Sequence, residues 1–167
     1  MFQLKPLSAN GIGPALDKAE RYRLLNEPWE AQSICSDVLD VEPDNQRALI
    51  VLILALTDQF QRESDVRIDE PRALLSRLES EYERAYYGGI LCERWAKALL
   101  ARGTPGVGSV AYDWLHDAMQ GFEQAEALRP RGNDDAILRW NACVRALMRY
   151  ENLRPSAEAE EPGLGLE

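Results

Sequence analysis

Histidine is all but missing from this chain: His116 is the only one among 167 residues. A single imidazole excludes HExxH zinc chemistry and any metal cluster built on several histidines. Its neighbour Asp117 does not complete an acid–base pair, because adjacent helical residues point apart. Cysteine is nearly as scarce. Cys35, Cys92 and Cys143 are odd in number, form no CxxC and sit in apolar surroundings. They read as reduced, buried small hydrophobes, not as a disulfide framework or a zinc knuckle. Positive charge is also short: 19 Lys and Arg stand against 28 Asp and Glu, a formal net charge of −9. Nucleic acid and anionic membrane surfaces are poor partners for such a chain. The longest apolar run, Ala48 to Leu56, is far short of the roughly 20 residues of a membrane span, so no membrane insertion is expected. The opening MFQLKPLSANGIG carries neither the apolar core nor the small-residue cleavage site of a secretory leader. A cytoplasmic location is the expectation.

Two polar stretches imitate ligand sites and fail on spacing. Gly103-Thr104-Pro105-Gly106-Val107-Gly108 lacks the GK[ST] ending of a phosphate loop, and no strand precedes it. It reads as a flexible turn. Asp58, Glu63, Asp65, Asp69 and Glu70 gather in one connector, but Phe60 and Arg62 stand where a calcium loop needs ligands. No cofactor, metal or catalytic set is expected, and the chain reads as a non-enzyme.

What is present is helical periodicity from end to end. Apolar residues recur at three and four spacing, with no sustained alternation. The pattern predicts an all-α chain of about seven helices. Their approximate bounds are 14–26, 28–40, a third capped by Asp44 or Asn45 and running to 58, then 71–80, 82–101, 110–128 and 134–150. Either Asn133 or Asp134 caps the last. Gly88-Gly89 falls inside the fifth helix, where an apolar stripe of Tyr87, Leu91, Trp95 and Leu99 continues across it. Close helix packing is the expected reason. Residues 1–13 form an N-terminal extension, 14–152 the helical domain and 153–167 a flexible acidic tail.

An internal repeat organises these helices. Ala31, Cys35, Val38 and Pro43 follow the same steps as Ala118, Phe122, Ala125 and Pro130. After each proline a second pattern recurs: Ala48, Leu49, Leu52, Ile53 and Leu56 match Ala136, Ile137, Trp140, Asn141 and Val144. Each proline stops one helix and turns the next antiparallel. One such hairpin cannot bury its apolar face alone, so neighbours must stack.

This spacing resembles the tetratricopeptide repeat, with Tyr22 at the place of a family aromatic. Cys35 and Val38 depart from the usual aromatic and small residues, and no proline stands near residue 80. The resemblance implies a right-handed superhelical array of antiparallel helix pairs. Its repeats would cover about 14–43, 44–80 and 82–130, with a capping helix at 134–150 and insertions in the 59–70 connector and the 102–109 turn. It also implies a scaffold or adaptor that binds a partner protein or peptide on the concave face. The third helix is apolar around nearly its whole circumference, which has two readings: Ile50, Val51 and Leu54 line an apolar groove on the concave face, or they are core in a tightly curled array or lie under the inserted connector. Arg139 and Arg145, with Arg149 and Arg131, form a basic face suited to a carboxylate-rich segment or to the protein's own acidic tail. The family's carboxylate-binding places hold Leu16, Glu20, Ile50, Leu54, Leu138 and Ala142, so that clamp is not expected. In size, acidity and repeat number the chain is also similar to small secretion chaperones of this family. A holding chaperone and a self-associating structural protein are therefore the alternative readings.

Overall fold

A computed structural model describes residues 2–62 and 67–156. Among the described residues there are seven α-helices and no strand: α1 (Ile12–Leu24), α2 (Pro28–Val41), α3 (Gln46–Asp58), α4 (Asp69–Leu75), α5 (Glu81–Arg102), α6 (Val107–Leu128) and α7 (Asp135–Arg149). Successive helices pack as neighbours from α1 to α7, and α1, α3, α5 and α7 also touch in turn along one side. These are stacked antiparallel pairs.

Local chemistry sets the helix ends. α1 starts two residues before Pro14, which sits in the first turn, where its missing N–H is harmless. It ends at Asn26, whose φ of 66° is left-handed. There Glu27 N–H donates to Tyr22 O (2.9 Å) and Asn26 N–H to Arg23 O (3.0 Å), the Schellman pattern with asparagine as the left-handed residue. The cap of α3 is Asn45, whose side chain accepts from Ala48 N–H at 2.9 Å. Ser80 does the same for α5 by accepting from Glu83 N–H. At α7 it is Asn133, not Asp134, whose side chain accepts a first-turn N–H, that of Asp135. α4 stops at Leu75, five residues short of the expected end, and α6 starts at Val107, three residues before the expected start.

α3 is the hub. Its residues enter all three hydrophobic clusters. Ala48, Val51, Leu52, Ala55 and Leu56 pack with α1 and α2. Leu49 and Ile53 meet Leu78, and Leu54 lies against the α5–α7 cluster. An all-round apolar helix is here buried all round.

α5 and α6 are the longest pair, and glycine brings them together. A Cβ on Gly89 would stand 2.6 Å from Phe122 Cε1, and one on Gly121 3.0 Å from the Ala85 carbonyl oxygen. Gly88, by contrast, faces only Leu75 at ordinary contact distance, so the close approach belongs to Gly89 and Gly121.

The packed part of the chain extends to Leu153, which is buried in the α5–α7 cluster. The expectation of a flexible tail from residue 153 is corrected by this contact. Its remainder, 157–167, lies outside the described residues, as do residues 63–66 of the connector.

Candidate protein-binding face

The side shared by α1, α3, α5 and α7 is tied across by ion pairs. Arg47 on α3 reaches Asp17 (2.7 Å) and Glu20 (2.9 Å) on α1. Near the opposite ends of these helices, Asp58 of α3 accepts from Arg23 Nε of α1 (2.8 Å) and Arg94 Nη1 of α5 (2.6 Å). Arg94 also donates to Thr57 Oγ1 and to the Leu54 carbonyl. Burial pushes the Arg94 guanidinium below its ordinary value, and Asp58 opposes the shift.

Beside this bridge lies Glu93, whose side chain is 1% exposed. Its Oε1 accepts from Lys97 Nζ at 2.5 Å. Its Oε2 accepts no hydrogen bond and lies 3.6 Å from Arg139 Nη1 of α7. A buried carboxylate needs such cations to offset its desolvation. Among the described residues, the ion-pair partners of Arg23, Arg94, Lys97 and Arg139 in this half of the strip are Asp58 and Glu93, so there cations outnumber carboxylates. Lys97 and Arg139 are the outward members, with side chains 44% and 37% exposed.

Next to Lys97 a cleft of about 380 Å³ opens between α5 and α7, walled by Gln61, Lys97, Leu100, Ala101, Leu115, Ala146 and Tyr150. Most of that wall is apolar, with a cation at its edge.

The expected site residues are distributed differently. Val51, 3% exposed, is core against α1 and α2, which removes it from any groove. Ile50 and Leu54 are half-buried, packed toward the Leu49–Ile53–Leu78 and α5–α7 clusters respectively. α3 therefore does not itself present an open apolar groove, because its neighbours cover it. Arg139 joins the strip through Glu93, while Arg145 is exposed and lies outside the cleft wall. Asp58, Glu93, Arg94 and Lys97 were not among the expected residues. The one local signal was Glu93 and Lys97 at i and i+4, a helical ion-pair spacing.

Of the 103–108 stretch, residues 103–106 form the turn between α5 and α6, and Val107 and Gly108 open α6. Gly108 in the first turn of α6 lies so close to Asn152 that a Cβ would meet the Asn152 carbonyl oxygen at 2.2 Å. Among the described residues no group of three or more His, Cys, Asp or Glu is placed to hold a metal ion, and no helix is long and apolar enough to cross a membrane. Burial pushes the Cys35 and Cys143 thiols up to about 12 and that of Cys92 to about 11.

Those thiols give a pH signature. The folded chain holds their protons, while the unfolded chain releases them above the ordinary value near 9.0. Stability is therefore full below pH 9 and lost as pH rises toward 12. The two fully buried thiols, Cys35 and Cys143, should each cost about 1 kcal/mol by pH 10. Thermal melts at pH 8 and pH 10 check this: the loss between them should be smaller in Cys35→Ala/Cys143→Ala. Equal losses in both chains would refute it.

Searches with the whole chain found no matching protein-family model, curated protein or solved structure.

Proposed function

We propose that this chain is a binding scaffold of the tetratricopeptide-repeat type, a right-handed superhelical array that acts by holding a partner and not by catalysis. The partner is a peptide or helix of another protein, lying along the α1–α3–α5–α7 side and seated in the cleft between α5 and α7. The observation that carries this reading is the cleft itself. It is apolar-walled, edged by Lys97, and large enough for one or two side chains of a partner. This moves the docking surface from α3, where the sequence alone put it, to the neighbouring helices. Stacked helix pairs with recurring prolines and small residues support the repeat reading. The cations Lys97 and Arg139, the outward members beside the cleft, favour a partner segment carrying acidic residues. A cytoplasmic setting suits three thiols kept protonated and unpaired.

The test is affinity purification from the native host, comparing the wild-type chain with Ala146→Glu and Tyr150→Ala at matched melting temperature. Capture of at least one protein should fall about tenfold with the cleft variants, the loss of roughly 1.4 kcal/mol of binding energy. Arg145→Glu, outside the cleft, should leave that capture unchanged. The same protein set from all four chains would overturn the proposal.

A further inference from the structure

α7 ends the stack, and its outer side departs from that of a capping helix. It packs on α6 and along one edge on α5, with Ala136 and Cys143 buried toward them. In the internal repeat α7 matches α3, with Ile137 at the place of Leu49. On α3 that place is covered by Leu78, from the segment after α4. After α7 no further helix follows among the described residues, and Ile137 and Val144 are left half-buried. Leu138 and Met148 beside them are 63% and 80% exposed. A terminal helix of a repeat array needs a polar outer side to stay soluble, yet this one presents two large apolar side chains. Its charges are divided by sign. Asp134 and Asp135 stand at the N-terminal end, and Arg145 and Arg149 toward the C-terminal end. Among the described residues the ion pairs of α7 and its cap are Arg139–Glu93 and Arg129–Asp134, so Asp135, Arg145 and Arg149 take part in none. We propose that this side of α7 docks on α7 of a second copy of the chain, antiparallel about a two-fold axis between Asn141 and Ala142.

The charges choose both the occupant and the register. A face with acid at one end and arginine at the other is complementary to itself once turned over. Asp134 and Arg149 lie equally far from the midpoint of Asn141 and Ala142, as do Leu138 and Arg145. Turning one copy over therefore sets Arg149 beside Asp134 and Asp135 of the other copy, and Met148 beside Ile137 and Leu138. Each contact occurs twice, so arginine–aspartate pairs close both ends of a small apolar strip. Ala142 at the axis lets the two helices approach closely. The antiparallel order also sets the N-terminal end of each helix against the C-terminal end of the other, which suits their dipoles. Two chains of net charge −9 repel in most orientations, whereas here arginines meet carboxylates. One helix pair makes a contact at the low end of interface sizes, so the dimer is weak and concentration-dependent. Ala146, in the wall of the α5–α7 cleft, stands about 80° round the helix from Leu138. The dimer therefore carries two clefts, and the inference does not rest on the scaffold reading.

Sedimentation equilibrium of the full chain between about 1 μM and 1 mM, the span of weak association, should show monomer passing to dimer and no larger species. Arg149→Glu should weaken the dimer about tenfold. Asp135→Arg/Arg149→Glu, which exchanges the charges, should restore it to within about threefold. Cysteine placed on α7 reads the geometry without relying on charge. Under mild oxidation Ala142→Cys, at the axis, should give a disulfide-linked dimer. Met148→Cys should not, because its two copies stand about 20 Å apart along the helices. The wild-type chain, with Cys35 and Cys143 buried, supplies the background. A monomer throughout the range overturns the proposal and leaves this side of α7 to another protein or to residues 157–167. So does a charge-exchanged chain that melts like the wild type and stays monomeric, or linkage at 148 in place of 142.

Discussion

Phe122→Ala is expected to destabilise the fold by about 3–5 kcal/mol, the largest loss at any single side chain considered. Phe122 is 0% exposed and its ring stands over Gly89 and beside Tyr86, at 6.0 Å between centroids. Removing it empties the closest crossing of α5 and α6. The more telling result concerns Gly89. In the wild-type chain Gly89→Ala gains about 1 kcal/mol of helix propensity. The added methyl, however, meets the ring at 2.6 Å and the Ala118 carbonyl oxygen at 3.0 Å, and such overpacking costs about 1–3 kcal/mol. The single change should be neutral to destabilising. In the Phe122→Ala background the ring is gone and the methyl fills part of the hole, so Gly89→Ala should become stabilising. Urea denaturation of the four chains measures that sign reversal as a coupling energy. A Gly89→Ala effect of the same sign and size in both backgrounds would show that the glycine is not there for the ring.

Asp58→Ala is the second large effect, expected at about 2–4 kcal/mol. Among the described residues, Asp58 alone bridges α1, α3 and α5 by ion pairs, through Arg23 and Arg94. Without it two guanidiniums are left facing each other with their anion gone. Breaking a fully buried pair costs about 3–5 kcal/mol. The estimate here is lower because the three side chains remain 19–25% exposed and can be partly hydrated. Asp58→Asn, which keeps acceptor geometry but not charge, should fall between wild type and alanine. Pairing Asp58→Leu with Arg94→Leu should cost less than the two changes summed, since the second removes the charge stranded by the first. Denaturant midpoints read all of this. A loss under about 0.5 kcal/mol for Asp58→Ala would place the bridge with ordinary surface pairs.

These two sites mark what was legible beforehand. The helices and most of their ends were, because prolines at 28 and 43 and the side chains at 45 and 133 act within a turn of themselves. The close pair at Gly89 was half legible: two adjacent glycines announced an approach, but which of them faces Phe122 depends on helix phase. Legibility failed for the site. An apolar ALIVLILAL reads equally as an exposed groove or a buried hub, and the residues that decide it, such as Leu78 in the α4–α5 connection and Tyr87 on α5, come from later in the chain. Asp58 and Arg94 are 36 residues apart, with no spacing rule linking them. α4 was overextended for a related reason: its amphipathic pattern continues past Leu75, but the chain turns there to bury Leu78.

The brevity of α4 has a mechanical side. Its 7 residues run about 10 Å, against about 33 Å for α5 and α6 with 22 each. In a stacked array, folding cooperativity passes from one repeat to the next through the area they share. At the α4 position that area is cut short, and the link between the α1–α3 and α5–α7 halves falls largely to α3 and the Asp58 bridge. The seam is therefore where the chain is least cooperative, and the two halves are coupled as neighbouring foldons and not as one indivisible block.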